Sequence, residues 1–187
     1  MIDPNNIINY NRTTSELEEL ILFLVAVAGK NAATTSKNLD RFLSDYCPFT
    51  PFKVVKLFHE SKLKDVLRHY GFGCYNRLAR AFTELAESNL DLRTCTLEDL
   101  MQIHGIGRKS ASCFLAWTRE MVNVAMLDTH LMKYIRHELG YTDAPKATPS
   151  TKKQYDFYEK IYLDHCSRLQ VNPTYYDLEI WRSYANK

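Results

Sequence analysis

An all-α fold is what this sequence predicts. Three observations carry it. Apolar residues recur at helical spacing along nearly the whole chain, and helix-starting and helix-stopping residues punctuate those stretches. No run of alternating apolar and polar residues marks a sheet.

The elements follow in order. Ser15 is placed to cap a helix from Glu16 to about Ala28, which Gly29 stops. Thr34 or Thr35 opens a second, with Leu39, Phe42 and Leu43 on one face. Thr50-Pro51 joins a capping residue to a proline at the first helical position, a strong start. Ser61 begins a short helix that Gly71 and Gly73 end, and Leu78, Ala81, Phe82 and Leu85 mark the next. Thr96-Leu-Glu-Asp99 has the pattern of a capping box and opens a helix over Leu97 to Ile103. A further helix runs from Arg108 to Arg119. Another runs from Asp128, its cap, to Leu139, with Gly140 as terminator. Ala144 to Pro149, with two prolines, is a connector. Thr151 to Leu169 is a long helix rich in aromatics, and Pro173-Thr174 starts a last one reaching about Tyr184.

A length of 187 residues with 45% apolar content suits one domain, or two small lobes, around a sizeable core. No repeat or low-complexity tract breaks it up. The expected organisation is a single domain of two helical lobes, residues 1–28 plus 140–187 and residues 29–139, with the glycine turn described below at their seam. The formal net charge is only +2, so any polyanion must be met by a local surface. Five cysteines, an odd number with no C-x-x-C pair, argue against a disulfide framework and a zinc knuckle. Residues 1–11 are polar and lack a signal-peptide pattern. The longest apolar run, Leu20 to Ala28, is too short to cross a bilayer. The expectation is a soluble, monomeric protein of the cytoplasm.

The most informative segment is Ile103-His-Gly-Ile-Gly-Arg-Lys-Ser-Ala111, followed downstream by Leu127-Asp-Thr-His130. Gly105 and Gly107 flank Ile106 in a tight turn between two helical patterns. Glycine permits positive φ and close backbone approach. The helix after the turn begins with amides directed outward, an anion site that would take a phosphate without reading any base. Gly105, Ile106, Gly107 and Arg108 are therefore the expected DNA-contacting residues, with Ile106 packed inward.

These two segments resemble the core of the helix-hairpin-helix DNA glycosylase superfamily, which includes endonuclease III and the 8-oxoguanine glycosylases. The match covers Leu100 to about Tyr134, and Lys109 and Asp128 both fall at family positions. Two departures stand out. The family usually has proline before the first glycine, where this chain has His104. Its Gly/Pro-rich loop before the aspartate is here Arg119 to Ala125, with neither residue.

The resemblance implies a bifunctional DNA glycosylase with AP lyase activity. Lys109 would attack C1′ of the target nucleotide, displace the base and form a Schiff base, which permits β-elimination of the 3′ phosphate. Asp128 would support the oxocarbenium-like sugar and help deprotonate the amine. His130 reads as a first-turn helix residue rather than the base. Asn31 falls where the family carries a residue that plugs the gap left by the flipped base. Asp177-Leu-Glu-Ile-Trp181 and the final Lys187 are similar to the small archaeal-type 8-oxoguanine glycosylases. By that likeness Trp181 stacks on the base, Asp177 lines the pocket, and the Lys187 carboxylate accepts the N7 hydrogen that only the oxidised purine has.

After Asp128 the chain has only Cys166, so no iron–sulfur cluster is expected, and no cofactor beyond a monovalent cation at the hairpin. The expected partner is double-stranded DNA with a damaged base, 8-oxoguanine first. An oxidised pyrimidine or hypermodified base, or a non-catalytic DNA-binding module, are the alternatives. Arg119, Lys133 and Arg136 add basic groups near the hairpin in sequence. Taken singly, each residue has a plain structural explanation: a solvated lysine at 109, a helix cap at 128, an asparagine turn at 31, a core aromatic at 181 and a frayed end at 187.

Overall fold

The computed structural model describes the backbone over residues 1–185 and side chains to Tyr184. Ten α-helices and no strand occur among the described residues, so the all-α expectation holds. The helices are α1 (Thr14–Val27), α2 (Ala32–Ser44), α3 (Pro51–Lys56), α4 (Glu60–His69), α5 (Tyr75–Glu87), α6 (Leu97–Met101), α7 (Arg108–Thr118), α8 (Thr129–His137), α9 (Lys152–Leu169) and α10 (Pro173–Ala185).

Several caps lie a few residues from where the sequence suggests. Thr13, not Ser15, caps α1, and it forms a reciprocal capping box with Glu16. Asn31, not Thr34 or Thr35, caps α2, its side chain accepting the amide of Thr34 at 2.9 Å. His59, not Ser61, caps α4. In each case a hydrogen-bonding side chain further upstream reaches the first-turn amides, which starts the helix earlier. The capping box of Thr96 and Asp99 on α6 is as expected.

The chain divides into two compact units, Met1–Thr118 and Arg119–Lys187. This division differs from the lobes drawn from sequence at two places: α1, which packs against α2, α3, α5 and α7, falls in the first unit, and residues 119–139 with α8 fall in the second. Leu20 to Ala26 are seven consecutive buried residues. A helix apolar on every side has to be enclosed, and α1 is the central helix of the first unit. No helix among the described residues is long and apolar enough to cross a membrane.

In the second unit, Leu131, Met132 and Ile135 of α8 pack with Tyr155, Tyr162 and Cys166 of α9 and Ile180 of α10. Two tyrosine hydroxyls tie this core to backbone carbonyls: Tyr155 donates to Ala125 O at 2.7 Å, and Tyr162 donates to Pro173 O at 2.7 Å. Burial, chiefly, pushes the Tyr162 hydroxyl far above the usual phenol range. All five cysteines are free thiols, three of them buried.

Candidate active site

The turn between α6 and α7 spans residues 102–107. Ile106 is 4% exposed and donates its amide to Ile103 O at 3.1 Å. That burial anchors the turn from within, while Gly105 and Gly107 on either side are exposed. The two glycines have different reasons to be glycine. Gly105 has φ +79°, which disfavours any side chain, and a Cβ there would sit 3.5 Å from the Arg77 guanidinium. Gly107 has no such backbone constraint, and a Cβ added there would meet nothing within 4 Å. Its missing side chain leaves room for something outside the unit to approach the backbone.

α7 starts at Arg108, directly after Gly107, whose carbonyl accepts the first helical hydrogen bond from Ala111. The first amides of a helix lack carbonyl partners within it and carry the positive end of the helix dipole. Lys109 occupies this first turn, and its side chain is half-buried. Beyond this first turn, Ala111 to Ala116 of α7 are all buried, which holds the helix in place.

In the second unit, Asp128 caps α8. Its Oδ1 accepts the amides of His130 and Leu131, each at 2.8 Å. Oδ2 takes no part in the cap. The carboxylate is thereby aimed by two hydrogen bonds, and its charge sits at the favourable end of the α8 dipole. Trp181 on α10 is half-buried and meets His130 edge-on, the ring centroids 6.3 Å apart. Asp128 and Trp181 thus stand at the same end of α8. Asp177, one turn before Trp181, lies close enough to Tyr162 and Cys166 for its charge to raise both of their pKa values, second to burial at Tyr162. Lys187 lies outside the described residues.

Asn31 is exposed and serves as the cap of α2. Its neighbour Lys30 donates to Gly73 O at 2.9 Å. Arg77, in the first turn of α5, donates to Val25 O at 3.3 Å and packs beside Gly105. Three turns are joined in this way: the α1–α2 turn bearing Asn31, the α4–α5 turn at Gly73, and the Gly105 turn. Sequence reasoning missed Lys30 and Arg77, because contacts spanning 43 and 52 residues leave no mark in local spacing.

No family model matches the sequence, and no curated protein matches it. Solved structures do match in fold. The Methanocaldococcus jannaschii 8-oxoguanine glycosylase/lyase, in complex with a 15mer DNA containing 8-oxoguanine, is 20% identical with a TM-score of 0.70, over 95% of this chain and 84% of that one. The 8-oxoguanine DNA glycosylase of Thermotoga maritima is 22% identical with a TM-score of 0.70, over 94% and 82%. An Endonuclease III in a non-covalent complex with DNA matches less fully, at 21% identity and a TM-score of 0.53, over 71% and 59%. The chain has the fold of these structures.

Proposed function

We propose that this protein is a DNA glycosylase with AP lyase activity that excises an oxidised base, 8-oxoguanine first. The observation that carries the reading is the position of Lys109. An amine stands in the first helical turn after a glycine turn whose backbone is open to approach, in a fold shared with 8-oxoguanine glycosylases. The capping geometry of Asp128 supports it, since a carboxylate held through one oxygen has the other to offer.

In this reading the strand lies against the Gly105–Gly107 turn, and the α7 amides take a phosphate. The Lys109 Nζ lone pair forms a bond to C1′ as the bond from C1′ to the base nitrogen breaks, and the base leaves with a proton. The sugar ring opens to a Schiff base. Loss of a C2′ proton then expels the 3′ phosphate. The Asp128 carboxylate stabilises positive charge on the sugar and takes the proton that Lys109 must shed. Trp181 stacks on the extruded base, Asp177 and the Lys187 carboxylate line its pocket, and Asn31 fills the vacated stack.

A panel of duplexes bearing 8-oxoguanine, oxidised pyrimidines or hypermodified bases, assayed with borohydride trapping, tests this. The expected result is a covalent adduct and strand cleavage on the 8-oxoguanine duplex, with Lys109→Gln losing both while still binding DNA. Adducts only on another lesion would reassign the substrate. Salt-sensitive binding with no adduct on any duplex would make the protein a non-catalytic DNA-binding module.

A further inference from the structure

A second cationic feature lies beside the glycine turn. Lys64 and Arg68 of α4, with Cys74, Tyr75, Asn76 and Arg77 at the start of α5, line a cavity of about 480 Å³. Three of these six residues are cations and none is a carboxylate. Against a net charge of only +2 over 187 residues, the cavity is a local concentration of positive charge. Like charges brought together cost free energy unless a polyanion offsets it.

Arg68 is held over the Tyr75 ring at 5.1 Å. Its ion pair with Asp65, at 3.0 Å, joins two side chains that are both more than half exposed, so it is weak and readily exchanged for a phosphate. Arg77 forms one wall of the cavity and also packs beside Gly105. Lys30 holds the neighbouring wall through Gly73 O. Its pKa is lowered, by burial first and in part by the Arg77 charge, with Cys74 opposing.

We propose that the cavity between α4 and the start of α5 binds backbone phosphates of the same DNA that the Gly105 turn engages, with Lys64 and Arg68 as the contacting cations and Arg77 as the link to the turn. The inference rests on the DNA reading above. A free phosphate has the same chemistry as a backbone phosphate. DNA is taken as the source because Arg77 lines the cavity and also lies beside Gly105, which makes the cavity and the turn neighbours. Such contacts set register and affinity and read no base.

The test is the salt dependence of duplex binding by wild type and by the double variant Lys64→Gln/Arg68→Gln, on damaged and undamaged duplexes of equal length. Each lost phosphate contact lowers the slope of log K against log salt by about 0.9. The expected result is a slope shallower by roughly 1 to 2, with binding weakened on both duplexes alike. Lys64→Arg/Arg68→Lys keeps both charges and should restore the slope, which guards against misfolding. Lys53→Gln/Lys56→Gln removes the same charge from a different cavity and should leave the slope near that of wild type.

An unchanged slope in Lys64→Gln/Arg68→Gln overturns the proposal, as does an equal change in the Lys53/Lys56 control. Thermal protection of wild type by inorganic phosphate, lost in Lys64→Gln/Arg68→Gln without a change in the DNA slope, overturns it too, in favour of a small-anion site. Binding that depends on Lys64 and Arg68 without base release from any lesion would defeat the glycosylase reading and support this one. Absence of duplex binding by wild type would defeat both.

Discussion

The carboxylate of Glu84 accepts the backbone N–H of His104 at 2.7 Å. Helix-hairpin-helix glycosylases usually have proline here, which has no N–H to give. This chain has a donor, and Glu84 on α5 uses it to tether the turn. Glu84 also accepts from Arg80 at 2.8 Å. The Arg80 hydrogen bond foremost, then the His104 amide, hold the carboxyl below its ordinary value of 4.5, against the opposing effect of burial. A depressed carboxyl pKa contributes stability that is fully present above the unfolded value and is lost as pH falls through the folded one. Glu84→Gln keeps an acceptor but cannot titrate, so its urea midpoint should fall less steeply than that of wild type below about pH 4.5. Glu84→Ala leaves the His104 amide without this acceptor and should cost about 0.5–1.5 kcal/mol at neutral pH, since the bond is only part-buried.

Gly105 and Gly107 should separate when each is replaced by alanine. Gly105→Ala forces a Cβ onto a backbone at φ +79° and should destabilise by about 1 kcal/mol in chemical denaturation. Gly107→Ala meets no neighbour, so stability should stay within about 0.5 kcal/mol of wild type. Its duplex affinity should nevertheless fall, because the added methyl occupies the approach to the turn. Unchanged affinity in Gly107→Ala would remove this turn from the DNA surface.

Asp128 carries a cap and, in the proposed function, a catalytic charge. Two substitutions tell them apart. Asparagine caps helices as well as aspartate does, so Asp128→Asn should retain the melting temperature and lose base-release rate by on the order of 10²-fold or more. Asp128→Ala should lose that rate and also about 1 kcal/mol of stability. Wild-type rates in Asp128→Asn would leave the residue as a cap only.

Trp181 and His130 meet edge-on at the end of α8 that Asp128 caps. If Trp181 stacks on the extruded base, Trp181→Ala should lower kcat/KM on the lesion duplex far more than affinity for an undamaged one. Trp181→Phe, which keeps a stacking face, should recover most of the loss. Equal effects on both duplexes would place Trp181 in the core of its unit instead. Deleting Lys187 should reduce discrimination between oxidised and normal guanine, measured as the ratio of kcat/KM values.

Much of the fold was legible because helix formation is local. The cap at Asp128, the box at Thr96 and Asp99, and the proline start at Thr50-Pro51 each act within one turn, so their spacing suffices. Misplaced caps at Ser15, Thr34 or Thr35, and Ser61 show the limit of that logic. Neighbouring residues compete for the same amides, and the winners, Thr13, Asn31 and His59, are chosen by how the chain enters the helix. Asn31, to which the plug role is assigned in the proposed function, also caps α2, a structural task that spacing alone did not reveal.

From its order of residues alone, this protein is all-helical, carries a Gly-Ile-Gly turn before a lysine, and opens a later helix with an aspartate. Tertiary structure decided the rest: that α1 is the enclosed centre of the first unit, that Glu84 takes the amide of His104, and that Lys30 and Arg77 join three turns distant in sequence. The physical reason is range. Capping, turn chemistry and apolar periodicity act over a few residues and leave a regular pattern, whereas a side chain that bridges dozens of residues is placed by the packing of whole helices.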